Sequence, residues 1–304
     1  MKIAQKASQK GLTLIELMIS MSLGLVVSIA AVQLFITAFS SFNLQRGLGD
    51  VSENGRFGLD FVAKNISTAQ YATGKVGKVV SAMQKSINQT SPEGSAIVTE
   101  VSELPGSPAG LASANNSINL GIGSSDQLVT RTWIPSVGPA QRDCEGNVIL
   151  IPANADGIYS VARYFLRADT TTASTSALAC DAGRYSVGDA AVTDFGDAGI
   201  VLLNAVDSFQ ILYGISADAT TTPPVVVRYV TSAQYAAFAV PRPRVAAIRL
   251  GALVRSSDSV GNLVGGSPTV NVLDAVITGA SQDAAGSKIL RRVFVSTVAL
   301  RNAL

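Results

Sequence analysis

The residue types able to carry out chemistry are few in this chain, and they restrict the reactions open to it. The sequence contains no histidine, which excludes Ser-His-Asp and Cys-His catalysis and every histidine metal site. The two cysteines, Cys144 and Cys180, are too few for a thiolate zinc site. Their even number favours one disulfide in an oxidising compartment, the alternative being two separate buried thiols. We therefore expect no enzymatic activity, no metal and no cofactor.

Three further groups of side chains have an ordinary structural interpretation. Asp194 and Asp197, in the segment DFGDAG, suggest a phosphate or cation site, but no kinase lysine strand or catalytic loop accompanies them. Together with Asp218 they lack the alternating acids of a calcium loop, so we interpret the segment as a solvated turn. For the C-terminal arginines we favour exposed strand faces over a patch that binds DNA or an acidic partner: Arg228, Arg242, Arg244, Arg249, Arg255, Arg291 and Arg292. The larger aromatic residues are interpreted as core: Trp133, Tyr164, Phe165, Phe209 and Tyr213.

A carboxylate at the edge of a long apolar run is the most unusual feature of the sequence. Glu16 lies in KGLTLIELMIS (10–20), directly before the 22 uncharged residues 17–38. As a helix, this run is long enough to span a bilayer core of about 30 Å. Because a carboxylate is costly to place in hydrocarbon, Glu16 needs a partner.

Two ordinary explanations of this N-terminal segment account for it only in part. A secretory signal peptide agrees with the basic start MKIAQKASQK, but its apolar core usually has about 7–15 residues and precedes its cleavage site. An uncleaved signal anchor explains the length and the basic flank but not Glu16. A cut between Gly11 and Leu12 accounts for Glu16 as well. It creates a new amine on Leu12, which is neutralised by Glu16 of its own or a neighbouring subunit.

The segment GLTLIELMIS resembles the prepilin motif of type IV pilins and type II secretion pseudopilins. The resemblance rests on the basic leader, Gly11, an apolar residue at Leu12, the sequence Thr-Leu-Ile-Glu and an unbroken apolar helix. It implies that a prepilin peptidase cuts after Gly11 on the cytoplasmic side and methylates Leu12. It also implies that Glu16 serves in assembly. The predicted divisions are a leader (1–11) and a transmembrane assembly helix (12–39).

The apolar helix is predicted to continue as an amphipathic helix over 40–72. Its apolar stripe recurs at spacings near three and four: Leu44, Leu48, Val51, Leu59, Val62 and Ile66, with Gly55 on the same face. Four glycines weaken this half by up to about 1 kcal/mol each relative to alanine: Gly47, Gly49, Gly55 and Gly58. The outer half of the helix therefore needs support from the downstream domain.

The remainder, 73–304, is predicted to be a β-rich globular domain. The segment 91–126 reads as loops around at most one short strand or helix, because it is rich in Ser, Gly, Pro and Asn. Short β-branched and aromatic runs predict strands at 127–134, 147–153, 157–168, 206–215, 225–230, 244–256 and 291–300. Residues 198–206 fit a strand or a short helix. The expected fold is α+β, a long N-terminal helix packed on an antiparallel sheet.

Three internal segments narrow the resemblance to PilW-type minor pilins: ENGRFGLDFVAKNI (53–66), VDSFQILYGI (206–215) and RRVFVSTVALRN (291–302). This implies a structural subunit that helps to initiate a type IV pilus, with other minor pilins, the major pilin, the inner-membrane assembly platform and the prepilin peptidase as partners. It implies a single-pass inner-membrane protein of a Gram-negative bacterium, with a periplasmic domain that later reaches the pilus surface. The alternatives are a J-type pseudopilin of type II secretion and a tip-exposed adhesion subunit.

Net charge gives no support to nucleic acid as a partner. The formal charge is +2, and Lys2, Lys6 and Lys10 all precede Gly11, so the cut removes three positive charges. The mature chain is then close to neutral, whereas binding to the phosphate backbone requires an excess of basic side chains.

Overall fold

A long helix, with a β-rich domain on its C-terminal half, forms the molecule in a computed structural model of the chain. Helix α1 (Leu14–Thr68) has 55 residues and is about 80 Å long. The predicted α+β fold, a long helix on antiparallel sheet, is confirmed. The leader 1–10, Leu12 and the predicted helix end at 69–72 lie outside the described residues. The structure describes residues 11, 13–68, 104–106, 109–111, 113–118, 124–169, 176–216, 225–239, 243, 245–260, 269–278 and 289–300.

Two antiparallel sheets and a hairpin make up the β-structure of the described residues. The first sheet has its strands in chain order: β1 (Ala114–Ile118), β2 (Ser125–Pro135), β3 (Gly157–Ala168), β4 (Ser176–Tyr185) and β5 (Ile200–Leu203). The second has the spatial order β11-β8-β6-β7: β6 (Val206–Ser216), β7 (Val226–Val230), β8 (Val245–Arg255) and β11 (Arg291–Ala299). The remaining elements are a hairpin, β9 (Thr269–Val272) and β10 (Ala275–Thr278), and a short helix, α2 (Ser232–Ala236).

Polar side chains at the start of β2 join the two sheets. The Phe209 amide of β6 donates to Ser125 Oγ at 3.2 Å, and the Ile211 amide donates to Asp126 Oδ2 at 2.8 Å. Both acceptor residues are buried, so these bonds replace water for backbone groups that lie between the sheets.

The N-terminal half of α1 projects from the domain as an apolar helix with no cover from the described chain. It is long and apolar enough to cross a membrane. Its hydroxyl groups bond back to carbonyls one turn earlier, for example Ser20 Oγ to Glu16 O at 2.7 Å and Ser28 Oγ to Gly24 O at 2.8 Å. This local bonding satisfies the polar atoms without water, which a hydrocarbon environment requires.

The outer half of α1 packs one face on the sheets, as the predicted stripe requires. Val51, Leu59, Val62 and Ile66 are buried in the main core with residues of both sheets. The prediction was wrong for Leu48, which is 39% exposed. At this level of the helix the buried position is Gly47, which packs against Val260 in the segment after β8.

Three of the four helix glycines allow α1 to approach the domain closely. A Cβ on Gly47 would lie 2.5 Å from Val260 Cγ1, one on Gly58 would lie 2.9 Å from Leu203 Cβ, and one on Gly55 would overlap the Phe294 ring. Gly49, in contrast, faces open space. Gly47, Gly55 and Gly58 therefore lower the helix propensity of α1, but they allow it to pack closely on β5, β11 and the segment after β8.

We expect Gly55→Ala to lower the free energy of unfolding by about 1–2 kcal/mol. The added methyl group overpacks the Phe294 contact at a cost of about 1–3 kcal/mol, which the gain in helix propensity, up to about 1 kcal/mol, only partly offsets. Gly49→Ala is the matched control and should stabilise the protein by up to about 1 kcal/mol. Denaturant unfolding of the full-length protein in detergent measures both. Equal effects of the two variants would contradict the close-packing role of Gly55.

The structure corrects the predicted strands in two places. Residues 147–153 are not a strand and form only an isolated bridge between Arg142 and Val148, because this part of the chain turns back on itself. Their apolar residues still pack, since Ile149 and Ile151 lie against Ile134 and Ile158. Residues 198–206, for which a strand or a short helix was predicted, contain the strand β5.

Strand β4 was not predicted, although it lies inside the five-stranded sheet between β3 and β5. Its sequence, SALACDAGRY, is rich in small residues and has no β-branched side chain, so its intrinsic β-propensity is low. The small residues are needed for packing: a Cβ on Gly183 would lie 2.6 Å from Phe195 Cβ. Tertiary contacts therefore override propensity in this strand.

The hairpin β9–β10 was also not predicted, and it explains why β8 alternates only loosely. One face of β8 enters the main core through Ile248, Leu250 and Val254. The other face is covered by the hairpin, where Leu253 packs with Val272 and Ile277. Because both faces are buried, apolar residues occur at successive positions and the period of two is lost.

Candidate assembly site at the start of the helix

Glu16 takes part in a capping box at the N-terminus of α1. The Thr13 amide and the Thr13 Oγ1 hydroxyl both donate to Glu16 Oε2, at 3.2 and 3.1 Å. In return, the Glu16 amide lies 3.3 Å from Thr13 Oγ1, which accepts its hydrogen bond. Thr13 is thus the N-cap, and Glu16 is the third helical residue, the arrangement in which both side chains satisfy free backbone amides.

The capping role of Glu16 was not predicted, although the sequence contains the pattern for it. The Thr-x-x-Glu spacing before an apolar run is itself a helix-start pattern. The role predicted for Glu16 from the sequence was only that of partner to the amine that a cut before Leu12 creates. The structure describes Gly11 as exposed and does not describe Leu12, so that ion pair stays a prediction.

The surroundings of the Glu16 carboxylate are apolar and open. Leu14, Ile15 and Met18 on the same turns are all more than half exposed. A negative charge in the first turn also interacts favourably with the helix dipole, by typically 0.3–1 kcal/mol. The carboxylate is therefore held at the helix start, where a positive group on a neighbouring molecule has access to it.

The two cysteines are joined in the structure, in agreement with the sequence prediction. Cys144 and Cys180 form a disulfide with a Cα–Cα distance of 6.2 Å, and both residues are buried. The bond ties the connection between β2 and β3 to the middle of β4. It therefore fixes a segment that has almost no backbone pairing with the sheet.

The DFGDAG segment forms a turn with exposed acids, as predicted. Asp194 pairs with Arg184 at 2.7 Å, and Asp197 Oδ1 accepts a hydrogen bond from the Gly199 amide at 2.7 Å. Asp218 lies outside the described residues. No kinase-like arrangement surrounds the turn in the part of the chain that the structure describes. Asp197 also lies near two acids that were not predicted to be site residues, Glu145 and Asp181.

Those C-terminal arginines that the structure describes do not form one basic face. Two of them are also less exposed than predicted. The side chains of Arg255 and Arg291 are largely buried, and they pair with the buried Asp207 at 3.8 and 2.7 Å. Arg228 and Arg249 lie over the rings of Phe238 and Tyr229. These described arginines are thus used within the fold, and Arg242 and Arg244 lie outside the described residues.

Arg292 links β11 to the long helix. Its Nη1 donates to Ser52 Oγ at 3.3 Å, and its guanidinium lies 5.6 Å from the centre of the Phe294 ring. Both contacts lie beside Gly55, so the arginine contributes to the same helix–sheet interface.

The aromatic residues occupy the core, as predicted. Tyr164, Phe209 and Tyr213 are almost completely buried, and Phe165 is buried beneath the guanidinium of Arg163. Trp133 is half-buried and packs edge-on against Tyr159 at 4.7 Å between ring centres. None of these five provides an open stacking platform.

Comparison with known proteins supports the predicted resemblance in the N-terminal segment and in the C-terminal half of the chain. Residues 163–302 match the family described as type IV pilus-assembly protein W, and residues 6–32 match the prokaryotic N-terminal methylation motif. A type IV-like pilin from Thermus thermophilus is a structural match with 14% sequence identity and a TM-score of 0.39, covering 83% of this chain and 97% of that chain. No curated protein matches the sequence. Because one match covers most of β3 to β11 and the other covers the start of α1, the two matches together support a type IV pilus minor pilin of the PilW type.

Proposed function

We propose that this pilin is a minor subunit that helps to initiate assembly of a type IV pilus and remains near its tip. The observation that carries the proposal is the apolar half of α1, which no described part of the chain covers. A surface of this size is stable only in a bilayer or against other apolar helices. Both environments occur in turn for a subunit that leaves the membrane for a filament.

The processing steps of the proposal start from the N-terminal motif. A prepilin peptidase would cut after Gly11 and methylate the amine of Leu12. Lys2, Lys6 and Lys10 favour a cytoplasmic leader, because basic residues next to a membrane span stay on that side. The β-rich domain would then lie in the periplasm, an oxidising compartment that agrees with the Cys144–Cys180 disulfide.

The proposed partners are other pilins and the inner-membrane assembly machinery. Besides its membrane half, α1 exposes aromatic side chains on the face turned from the sheets: Phe42, Phe57 and Phe61. Phe57 is 69% exposed, which is unusual for a helix supported by a domain. This face would lie against neighbouring subunits in the filament. The proposed role is structural, and it includes no enzymatic step.

Deletion and complementation test the proposal in the native host. A deletion strain should have few or no pili, and the wild-type gene should restore them. Gly11→Val should fail to restore them, because the residue before the cut must be small. Mass spectrometry of the wild-type subunit should show loss of residues 1–11 and one added methyl group on Leu12.

Other results of the same experiment would contradict the proposal. Normal pili with lost adhesion would indicate a binding subunit that does not take part in initiation. Normal pili with a secretion defect would indicate a pseudopilin. An intact leader, or a cut after the apolar run, would contradict the processing step, and immunoblots for equal amounts of Gly11→Val and wild-type protein provide the control.

A further inference from the structure

The disulfide places two acidic residues side by side, and a third approaches them from the following turn. Glu145 and Asp181 each come directly after a bonded cysteine, Cys144 and Cys180. Asp197 reaches the same place from the turn that connects β4 and β5. Carboxylate oxygens of Glu145, Asp181 and Asp197 all lie within 4.8 Å of one another.

One oxygen of this cluster lacks the partner that its burial requires. Asp181 has no exposed surface, and its Oδ1 accepts no hydrogen bond from the described residues. Its other oxygen, Oδ2, accepts from the Gly196 amide at 2.9 Å and faces Arg163 Nη1 at 3.6 Å. Native proteins rarely leave a buried carboxylate oxygen unpaired, so Oδ1 indicates a ligand that the described residues do not supply.

The charge balance of the cluster points to a cation as that ligand. Arg163 brings one positive charge to three carboxylates, and its guanidinium is also bound to Gln127 Oε1 and stacked on Phe165. Three carboxylates this close together repel one another, and the complete burial of Asp181 strengthens that repulsion. A bound cation would relieve this repulsion.

We propose that Glu145, Asp181 and Asp197 bind a calcium ion. All of the donors are oxygens, and both nearby sulfur atoms are used in the disulfide, so a hard cation is favoured over zinc or copper. Ca²⁺ accepts six to eight oxygens in flexible geometry, and the exposed Asp197 leaves room for waters. Bound there, it would tie the β4–β5 turn to the β2–β3 connection and to β4.

Two conservative substitutions test the site in the full-length protein. Asp197→Asn keeps an oxygen for the Gly199 amide, and Glu145→Gln keeps one for the Ala182 amide, which lies 3.4 Å from Glu145 Oε1. Asp194→Asn is the matched control, because it removes the same charge from the same turn. Asp194 itself pairs with Arg184 and lies outside the cluster.

Calorimetric titration with CaCl₂ in detergent, after treatment with a chelator, measures binding, and thermal unfolding measures its effect on stability. We expect the wild type and Asp194→Asn to bind one Ca²⁺ with a Kd between about 10⁻⁵ and 10⁻³ M, and their Tm to rise with calcium concentration. Asp197→Asn and Glu145→Gln should bind at least about tenfold more weakly, because each loses one anionic ligand.

The proposal is overturned if the wild type shows neither binding heat nor a calcium-dependent Tm. It is equally overturned if both cluster variants bind calcium as the wild type does. A Tm shift of the same size with MgCl₂, in all four proteins, would indicate general ionic screening and not a site.

Discussion

Replacing Glu16 with glutamine should leave the subunit processed and inserted but lower its assembly into pili by a factor of about 100 or more. The substitution keeps the capping box, because glutamine also accepts the hydrogen bonds of Thr13. It removes the charge that is proposed to neutralise the amine of Leu12. Loss of one partner of a buried ion pair costs about 3–5 kcal/mol, which corresponds to the stated factor.

Insertion should not suffer in this variant. Glu16 lies at the cytoplasmic end of the apolar helix, where headgroups and water reach it in the single subunit. Removal of its charge therefore leaves insertion unchanged or slightly easier. In a filament the surroundings are other apolar helices, so the penalty for an unpaired amine arises only there.

A series of variants separates the charge of Glu16 from its capping role. Thr13→Ala removes the N-cap hydroxyl at a cost of about 1 kcal/mol but keeps the charge, so it should assemble nearly as the wild type does. Glu16→Ala loses both roles and should be the weakest. Glu16→Asp should be intermediate, because its shorter side chain reaches the amine less well.

Cross-linking to other pilins and counting of pili measure assembly in this series, and membrane immunoblots and mass spectrometry control for insertion and cleavage. If Glu16→Gln assembled normally while Glu16→Ala did not, the capping box would be the role of Glu16. If both assembled normally, the pairing argument would be wrong for this subunit. A position at the filament tip, with no neighbour beyond it, would then be tested first.

Loss of the Cys144–Cys180 disulfide should lower the free energy of unfolding by roughly 3–4 kcal/mol. The bond closes a loop with a sequence separation of 36, and chain entropy gives this value for that length. The segment that it holds has little pairing of its own, since its bridge joins only Arg142 and Val148. The double variant Cys144→Ala/Cys180→Ala in denaturant unfolding measures the effect.

Reduced wild-type protein provides the control for this variant, because it loses the same cross-link without a change of side chain. The two should agree within the small difference in packing between a thiol and a methyl group. Labelling of the unreduced, denatured wild type should find no reactive thiol. Two reactive thiols per chain, or a double variant as stable as the oxidised protein, would contradict the prediction.

Local sequence pattern by itself determined the helix and several strands. The charge-free run and the stripe at three- and four-residue spacing define α1, because a helix places such residues on one face whatever it packs against. Strand β3 was predicted over 157–168 and has those bounds in the structure. Its β-branched and aromatic residues favour extended backbone, and Gly157 and Asp156 lie at the boundary.

The local pattern did not determine how these elements meet. Strand β4 is built from small residues that are stable as a strand only between β3 and β5. From the sequence, the helix glycines were predicted only to weaken α1. In the structure, Gly47, Gly55 and Gly58 are positions where the helix approaches the domain closely. Both effects depend on neighbours that are distant along the chain.

The acidic cluster shows the same division between sequence and tertiary structure. The sequence alone suggested the Cys144–Cys180 pair, because two cysteines in an oxidising compartment have one possible partner each. Only the fold brings Asp197 to the residues after those cysteines, Glu145 and Asp181. Local preferences act over a few residues and can be read from their order. Packing and charge act through space, and a chain must be folded before these acids meet.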